Sequence, residues 1–387
     1  MLEHGFSILA AVPVAVWIGL VAFRGGFWRA DQFLPDDPPV RPHWPGVVAV
    51  IPARNEAATI GEAVASLLAQ DYPGAVNVIV VDDMSDDGTA DAAGAADRLT
   101  VIAGRPLEAG WTGKLWAVGQ GLDRVDAVDA EAPYVLLTDA DIRHDPQNLR
   151  RLVAKAEQDG LDLVSLMVRL RCRGFWERLL IPAFVFFFQK LYPFRWVNDP
   201  KRPSAAAAGG CMLVRRRALA AIGGIQAIRG RLIDDCALAA ALKKRSAIWL
   251  GLTDKVESRR RYDSLGEIWS MVSRTAFEQL GNSWLALIGT CLAMAVTYLV
   301  PPAAALGLIG GDWAGVGFGL AVWGVLIPAA FRPTLRLYRL PVVWSLMLPL
   351  AALLYTLMTA TSAVRHWQGR GGAWKGRHYG GAPVADG

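Results

Sequence analysis

The sequence is poor in charge and in cysteine. Asp, Glu, Lys and Arg make up 19% of its 387 residues, below the roughly 25% of a typical soluble protein. The four cysteines form no Cys-x-x-Cys pair and lack zinc-site spacing, which favours a reducing compartment over a disulfide framework. A net charge of +5 is too small to indicate nucleic-acid binding, but it suits anionic lipids or phosphorylated ligands. The hydrophobic share of 53% excludes a disordered or fibrous chain and indicates membrane association.

The apolar residues are concentrated in long runs. Residues 6–23 carry no charge, Asp312 is the only charge in residues 283–331, and residues 341–364 carry none. Because a span needs about 20 apolar residues, we expect an anchor in residues 1–29 and about three spans in residues 283–364. These spans would be broken at Pro301–Pro302 and at residues 332–339. No small-residue cleavage site follows the first run, so the anchor is expected to stay uncleaved.

The distribution of basic residues predicts the orientation. Arg24 and Arg29 place the intervening block in the cytoplasm by the positive-inside rule. Three C-terminal spans would, however, put the basic, Gly-rich tail at residues 365–387 outside, against the same rule. Either one segment is re-entrant or the count of three is wrong, and we expect a cytoplasmic tail.

A Pro-rich linker at residues 30–45 leads into a block at residues 46–282. Short apolar runs at residues 47–51, 76–81, 99–102 and 134–137 alternate with helical patterns at residues 56–69, 88–96, 114–122 and 146–157. Such alternation predicts an α/β fold, with a parallel sheet covered by helices.

Acidic and polar residues follow three of these predicted strands, where ligands bind in parallel α/β sheets. The first strand ends in Pro-Ala-Arg-Asn-Glu (residues 52–56), the second in Asp-Asp-Met-Ser-Asp-Asp-Gly-Thr (residues 82–89), and the fourth in Asp-Ala-Asp (residues 139–141). Adjacent carboxylates repel unless a cation or hydroxyl groups compensate them. Asp139 and Asp141 therefore suit a hard divalent ion that also binds a diphosphate, and Asp82 and Asp83 suit a ribose and a base edge.

In combination, these three motifs resemble the inverting family-2 glycosyltransferases with the GT-A fold, over about residues 46–282. The resemblance implies a nucleoside pocket lined by Pro52, Ala53, Arg54, Glu56 and Asp83. It also implies that Lys114 lies near the nucleotide and that Asp139 and Asp141 hold Mg²⁺ or Mn²⁺. The pair Gly113–Lys114 is not a P-loop, since Leu115 stands where Ser or Thr is required.

The second half of the block is expected to receive the acceptor. Gly209 and Gly210 lie in a small-residue stretch that allows close backbone approach, unless it is merely a flexible loop. Residues 233–238, Ile-Asp-Asp-Cys-Ala-Leu, are similar to the family's Glu-Asp-x-x-Leu motif. That similarity implies Asp235 as general base, with Asp234 in place of Glu. Read alone, the Asp pair is a helix cap.

Two further segments refine this interpretation. Arg274 matches the arginine of the Gln-x-x-Arg-Trp motif in processive family members, but the Gln and Trp are absent, which disfavours a polymer synthase. Residues 174–196 are rich in aromatic residues with cationic flanks, typical of an interfacial helix lying in the membrane plane, the alternative being an aromatic core helix. Residues 165–172, 184–189 and 192–200 look similar to the hopanoid-biosynthesis-associated branch of the family.

The sequence thus indicates a multi-pass glycosyltransferase of a bacterial-type inner (cell) membrane, with a cytoplasmic catalytic domain. It would transfer a sugar with inversion from a nucleotide-sugar, expected to be a UDP-sugar, to a lipid acceptor linked to hopanoid biosynthesis. One alternative acceptor is a polyprenyl phosphate, held by Arg259–Arg261 or Arg215–Arg217. A different class would be a transporter or lipid carrier with a regulatory nucleotide-binding domain, which the scarcity of ionisable groups in the spans disfavours.

Overall fold

The computed structural model describes residues 2–39, 41–308, 313–369, 373–374 and 377–378. Eight strands form one sheet: β1 Val47–Ala53, β2 Val76–Asp82, β3 Leu99–Ala103, β4 Tyr134–Thr138, β5 Ile142–Arg143, β6 Leu163–Arg169, β7 Cys211–Arg215 and β8 Ile248–Ser258. The first eleven α-helices are α1 Leu2–Phe23, α2 Ile60–Leu68, α3 Thr89–Ala92, α4 Gly113–Asp123, α5 Val125–Asp129, α6 Asn148–Gln158, α7 Phe175–Leu191, α8 Phe194–Asn198, α9 Arg216–Ala221, α10 Asp234–Lys243 and α11 Leu265–Ser273. Short 3₁₀ helices occur at Phe27–Arg29, Gly224–Ile228 and Glu278–Leu280, and β9 Ala373–Trp374 pairs with β10 Arg377–His378.

The sheet has the order β3-β2-β1-β4-β7-β6-β8-β5. Strands β3, β2, β1 and β4 are parallel, which confirms the predicted α/β arrangement. Strand β7 runs antiparallel to both of its neighbours, β4 and β6. All seven residues of β1 are buried, as expected for a parallel strand covered by helices on both faces.

Two predicted helices are shorter than the sequence indicated. Helix α2 begins at Ile60 because the preceding residues form a loop in which Asn55 adopts a left-handed conformation, with φ 52°. The helix predicted at residues 88–96 is limited to Thr89–Ala92 and follows Gly88, also left-handed. Both loops lie at strand ends, so the chain there is shaped by loop geometry rather than by helical periodicity.

Two glycines of α4 differ in the space beside them, which gives a matched test of the packing. A Cβ atom on Gly121 would overlap Val50 Cγ1 and lie 3.0 Å from Val81 Cγ2, whereas one on Gly119 would sit 3.4 Å from Ile225 Cγ2. We expect Gly121→Ala to destabilise the protein by about 1–3 kcal/mol through overpacking. Gly119→Ala should be neutral or stabilise by up to about 1 kcal/mol through helix propensity. Thermal unfolding of the detergent-solubilised chain measures both, and equal melting temperatures would contradict the packing described.

Three long apolar helices follow the domain, and by length and composition all three are candidate membrane spans. Apolar helix 1 is Trp284–Ala305, apolar helix 2 is Trp313–Leu337 and apolar helix 3 is Val342–Trp367. Their internal segments are Trp284–Met294, Ala295–Leu299 (π), Val300–Ala305, Trp313–Leu320, Ala321–Leu326 (π), Ile327–Leu337, Val342–Met347 (3₁₀) and Leu348–Trp367. Among the described residues the number matches the predicted three. The predicted break at Pro301–Pro302 is wrong, whereas the break predicted at residues 332–339 includes the observed end of apolar helix 2 at Leu337.

The predicted break at Pro301–Pro302 lies inside apolar helix 1. Pro301 and Pro302 follow the π turn Ala295–Leu299, and Pro328 follows the π turn Ala321–Leu326. A π turn relaxes the hydrogen-bond ladder where a proline ring would clash and a donor is missing, so the helix continues through it. Arg332 and Arg336 lie in the last turns of apolar helix 2, which ends only at Leu337.

The N-terminal helix α1 packs against apolar helix 1. Its described apolar part, Ala11–Phe23, is shorter than the three candidate spans. Trp17 is fully buried, donates from Nε1 to the Thr297 carbonyl at 2.9 Å, and meets the Tyr298 ring edge-on at 5.7 Å between centroids. The Pro-rich segment after α1 is not a free linker, because Phe33 forms a bridge with Leu252 of β8.

The aromatic segment at residues 174–196 is not one helix. It forms α7 and the start of α8, with Pro193 as the N-cap of the second helix. Phe186 is fully buried against Phe27 and Phe331, and the ring exposed by more than half is Phe175. Most of the aromatic rings of α7 therefore contact the apolar helices and the domain core.

Candidate active site

The ends of β1 and β2 are joined by hydrogen bonds from their loops. In the parallel register Ala53 lies beside Asp82. Arg54 donates from Nη1 to the carbonyls of Asp83 and Met84, at 2.6 and 2.9 Å. The Glu56 amide donates to Thr89 Oγ1 at 2.8 Å. The predicted nucleoside residues are thus brought together, with Arg54 bracing the loop rather than extending into solvent.

Asp82 and Asp83 have different environments. The Asp82 carboxylate accepts hydrogen bonds from the amide and hydroxyl of Ser85. Asp83 is fully buried. Asp82 therefore closes the turn after β2, and Asp83 follows it in the protein interior.

A pocket lies between these strand ends and the acceptor half of the domain. Its lining combines residues from both halves: Pro52, Lys114, Leu115, Val118, Leu137, Thr138, Asp139, Gly209, Met212, Ile225, Ile228, Asp234 and Leu238. Five of the predicted site residues (Pro52, Lys114, Asp139, Gly209 and Asp234) line this one pocket. The sequence motifs separated along the chain therefore converge on a single site.

Lys114 is the cation at the centre of this pocket. Its Nζ lies 2.8 Å from Asp139 Oδ1 and 3.3 Å from Asp234 Oδ2. Burial alone would lower the pKa of Lys114, but the carboxylates of Asp139 and Asp234 outweigh it and raise the pKa above its ordinary value. Lys114 therefore stays charged and bridges the end of β4 to the start of α10.

Asp235 fixes the glycine loop. Its Oδ2 accepts the Gly209 amide at 2.9 Å, and its Oδ1 accepts the Cys236 amide at 2.7 Å. A Cβ atom on Gly209 would lie 3.0 Å from Lys114 Nζ, and one on Gly210 would lie 2.9 Å from Val168 Cγ2. Gly210 is required by its close approach to Val168, and the Gly209 amide is fixed by Asp235, so the segment is not simply a flexible loop.

The two aspartates at the start of α10 therefore face different partners. Asp234 is paired with Lys114, whereas Asp235 is bound by backbone amides. Burial, with the neighbouring Asp234 charge, raises the pKa of Asp235 to about 6, although Lys114 and the two amides act in the opposite direction. Asp235 is consequently ionised at neutral pH and close to its titration point.

Residues 48–223 match the sequence family described as Glycosyl transferase family 2. The chain contains a family 2 glycosyltransferase domain. No curated protein sequence matches the chain significantly. The matched range begins at the second residue of β1, includes β2 to β7 and the glycine loop, and ends before Asp234 and Asp235.

Solved structures of glycosyltransferases are similar to the chain. The mannosyltransferase PcManGT from Pyrobaculum calidifontis, solved with GDP-Man and Mn²⁺, is 17% identical with a TM-score of 0.56, over 94% of this chain and 99% of that one. Glucosyl-3-phosphoglycerate synthase from Mycobacterium tuberculosis, solved with UDP, is 22% identical with a TM-score of 0.38, over 63% and 86% of the two chains. Mannosyl-3-phosphoglycerate synthase from Rubrobacter xylanophilus is 21% identical with a TM-score of 0.37, over 62% and 76%. The likeness to the first establishes that this glycosyltransferase has the GT-A fold.

The second acid of the Asp-x-Asp motif is held differently from the first. Asp141 is buried, and its Oδ2 accepts Ser258 Oγ at 2.6 Å and Arg260 Nε at 3.4 Å. Arg260 also pairs with Glu56, so it bridges the end of β1 to the Asp-x-Asp motif. Arg260 is thus a site residue whose role the sequence did not reveal, beyond its place in an arginine run after β8.

Asp139 and Asp141 can hold a divalent ion only if a bound substrate supplies further oxygen ligands. Within the described ranges, no group of three or more His, Cys, Asp or Glu is arranged to hold a metal ion. Asp139 and Asp141 are hard oxygen donors, and one or two carboxylates completed by substrate phosphates are a usual magnesium site. Asp139 and Asp141 therefore fit a divalent ion whose remaining ligands come from the diphosphate of the bound donor.

A buried network behind the pocket was not predicted. Thr138 Oγ1 donates to the Gly210 carbonyl at 2.7 Å and lies 3.0 Å from His144 Nε2, while Asn148 lies 3.0 Å from His144 Nδ1. Burial lowers the pKa of His144 to about 4, so the ring is neutral at physiological pH. The network connects the residue before Asp139 to the glycine loop, and no sequence motif marks it.

The predicted phosphate-binding arginines are largely used elsewhere. Arg215 faces Tyr134 in the antiparallel β4–β7 register, at the opposite end of β4 from Asp139, and it pairs with Glu157 and Asp162. The Arg215–Arg217 prediction is therefore wrong, because antiparallel β7 carries this run away from the pocket. Arg274 directly follows α11. It is near Tyr262: burial raises the pKa of Tyr262 to about 12, while the charges of Arg260 and Arg274 act to lower it. Arg274 thus lies on the Arg260 side of the site.

Proposed function

We propose that the protein is a membrane-bound glycosyltransferase that transfers a sugar with inversion from a nucleotide-sugar to a lipid-type acceptor, linked to hopanoid biosynthesis. The observation that carries the proposal is the pocket in which Lys114, Asp139, Asp234 and the Gly209 loop meet. It joins the nucleotide half of a family 2 domain to a helix bearing a carboxylate of raised pKa. The apolar helices support a lipid acceptor.

The donor would lie along the carboxyl ends of β1, β2 and β4. Asp82 and Asp83 would receive the nucleoside, as the resemblance implies, and Lys114 would face the diphosphate from α4. Two of its three N–H groups are directed at Asp139 and Asp234, which leaves one donor for a phosphate oxygen. Asp139 and Asp141 would hold Mg²⁺ or Mn²⁺, which offsets the charge that develops on the leaving nucleoside diphosphate.

The acceptor hydroxyl would lose its proton to Asp235. The two backbone amides that bind this carboxylate fix its orientation, and each oxygen keeps a second lone pair for a proton. A base with a pKa near 6 is ionised at pH 7 and still basic enough to accept a proton in the transition state. Asp234 would hold Lys114 rather than react.

The contacts of α7 with both the apolar helices and the neighbourhood of Asp235 support a lipid acceptor. Tyr192, at the C-terminal end of α7, accepts a hydrogen bond from Gln279 at 2.5 Å. Burial is the main reason that the pKa of the Tyr192 hydroxyl is raised, and Cys236 raises it further. Cys236 is adjacent to Asp235 in the chain. The other face of α7 packs against the apolar helices through Phe186 and Phe331. One helix therefore borders both the apolar region and the base.

The experiment is a two-way screen with the purified full chain. UDP-sugars and GDP-mannose are tested as donors, because we propose a UDP-sugar while PcManGT was solved with GDP-Man. Hopanoid lipids, polyprenyl phosphate and total lipid extract are offered as acceptors, and labelled product is followed. Labelled hopanoid is the expected result. Labelled polyprenyl phosphate would replace the acceptor, and no transfer to any lipid would overturn the proposal.

The proposal predicts an acid limb in the pH–rate profile. Because Asp235 must be ionised and its pKa in the free protein is raised to about 6, kcat/KM should fall as the pH decreases through about 6. Asp234→Asn removes the neighbouring negative charge, so the pKa of Asp235 decreases and the limb should move to lower pH. The measurement is kcat/KM from pH 4.5 to 8.5 for both proteins. A limb that Asp234→Asn leaves in place would contradict the assignment.

A further inference from the structure

We propose that a cavity at the end of apolar helix 2, separate from the active-site pocket, binds a phosphate group that is carried either by an anionic lipid or by a free anion. The cavity has a volume of about 330 Å³. Because a water molecule occupies about 30 Å³ in the liquid, there is room for a phosphate group and several waters. The cavity shares no lining residue with the active-site pocket. It is therefore independent of the proposed reaction and of which apolar helices cross the membrane.

Elements distant in the chain form the walls of this cavity. Arg151 comes from α6, Leu252 from β8 and Arg336 from the last turn of apolar helix 2. The segment that follows α1 lines a further side, since Phe33 forms a bridge with Leu252, whose amide donates to the Gln32 carbonyl at 2.7 Å. The cavity thus lies where the catalytic domain, the N-terminal segment and a candidate membrane span meet.

Cations predominate among the charged side chains that line the cavity. Four of these side chains are positive and two are negative: Arg151, Lys255, Arg336, Arg339, Asp36 and Asp254. The excess of two positive charges favours an anionic ligand.

Two of the four cations are held by groups of the protein itself. Arg151 is buried, and its Nε donates to the Asp36 carbonyl at 3.1 Å. Its two Nη atoms donate to Asp145 and Gln147, at 3.0 and 2.7 Å. Lys255 pairs with the Asp36 carboxylate. These two cations are therefore in place before a ligand binds.

The other two cations are available to a ligand. Arg336 and Arg339 are exposed, and neither forms an ion pair with any residue that the structure describes. A guanidinium can donate two parallel hydrogen bonds to the oxygens of one phosphate. The buried Thr253 adds a neutral donor, because its Oγ1 accepts the Lys255 and Val256 amides at 3.0 and 3.3 Å and keeps its own proton to donate.

The backbone of Arg339 supports a role for its side chain. Arg339 adopts a left-handed conformation, with φ 57°, directly after Tyr338, the C-cap residue of apolar helix 2. Glycine is the usual residue at this position, because a Cβ atom is disfavoured in the left-handed region. An arginine here costs stability, and an outlier of this kind indicates a use for the side chain.

The position of the cavity suits a lipid phosphate in particular. Arg336 belongs to the candidate span Trp313–Leu337, and Arg339 follows just after its end. Basic pockets at the ends of spans bind the head groups of anionic lipids. The acyl chains of such a lipid would lie along apolar helix 2, where Leu320 and Val325 are more than half exposed. A free phosphate would use the same donors without this apolar surface.

Lipid binding is measured on the full chain in detergent, by native mass spectrometry with dioleoyl phosphatidylglycerol. Arg336→Gln and Arg339→Gln should each raise Kd about tenfold or more, the usual effect of losing a hydrogen bond between charged groups. Arg332→Gln is the matched control, because it removes the same charge one turn earlier in the same helix, at a residue that does not line the cavity. This variant should bind the lipid as the unsubstituted chain does.

Calorimetry with inorganic phosphate distinguishes the two sources of the phosphate group. If the ligand is a lipid, inorganic phosphate at millimolar concentration should not displace phosphatidylglycerol. If the ligand is a free anion, inorganic phosphate should bind by itself, and Arg336→Gln should weaken that binding. Either result supports the site. Unchanged binding of both ligands in Arg336→Gln and Arg339→Gln, or an equal loss in Arg332→Gln, would overturn it.

Arg339→Gly separates ligand binding from folding. Because glycine adopts φ 57° without strain, the melting temperature without added lipid should equal or exceed that of the unsubstituted chain. Binding of phosphatidylglycerol should nevertheless fall as it does in Arg339→Gln. A lower melting temperature, or lipid binding that the glycine leaves intact, would contradict the role assigned to Arg339.

Discussion

Replacing Asp235 with Asn is expected to lower kcat by about 10²- to 10⁴-fold, the usual cost of losing a general base. Asn keeps the shape of the side chain and one of its two amide contacts, but it cannot accept the proton of the acceptor hydroxyl. Donor Kd should change little, because the nucleotide contacts lie at the ends of β1 and β2. Steady-state kinetics and calorimetric donor binding measure the two quantities separately.

Asp234→Asn is the matched control, one residue away on the same helix. It removes the charge 3.3 Å from Lys114 Nζ, so we expect a change in donor affinity and a smaller loss of kcat than for Asp235→Asn. If Asp235→Asn turns over normally, or Asp234→Asn is the inactive variant, the roles of the two carboxylates are reversed.

Removing divalent ions is expected to lower turnover by more than about 10³-fold. A metal ion contributes several kcal/mol of charge stabilisation, and each 1.36 kcal/mol corresponds to a factor of ten. EDTA should also weaken donor binding, and Mn²⁺ or Mg²⁺ should restore both. Asp139→Asn should lose the metal-dependent part of donor binding in calorimetry, a measurement that needs no acceptor.

The control for Asp139 is Asp159→Asn, at the end of α6, where the carboxylate forms an i,i+4 pair with Lys155. This variant should bind donor and metal normally. Full activity in EDTA, together with donor binding that is independent of metal, would rule out the metal site at Asp139 and Asp141.

The strand ends could be predicted because each strand is marked by a short run of apolar residues. Four runs of apolar residues gave the parallel strands, and parallel strands bring their carboxyl ends to one edge. Pro52, Asp82, Asp83 and Asp139 were therefore assigned to one edge without knowledge of contacts. The glycine loop and Asp235 could be connected to that edge only through the family resemblance.

The contacts that the sequence did not reveal are long-range or depend on strand direction. Arg260 and Asp141 are 119 residues apart, and no periodicity predicts such a pair. Strand β7 is antiparallel, so Arg215 lies at the far end of β4 although it is only five residues from Gly210. The break predicted at Pro301–Pro302 is wrong for a different reason, since helix propensity does not take account of the π turn that precedes these prolines.

The π turn at Ala295–Leu299 also changes the phase of apolar helix 1. Closing hydrogen bonds over five residues rather than four inserts one residue, which rotates the C-terminal part of the helix by about 100°. Before the turn, Leu287 packs with Phe277 and Ala363. At the turn, Tyr298 packs against Trp17 and Phe187. Deleting one residue here would restore regular α-helical hydrogen bonds, but it would rotate either Leu287 or Tyr298 away from its partners. The packing of apolar helix 1 therefore depends on the number of its residues as much as on their apolar character.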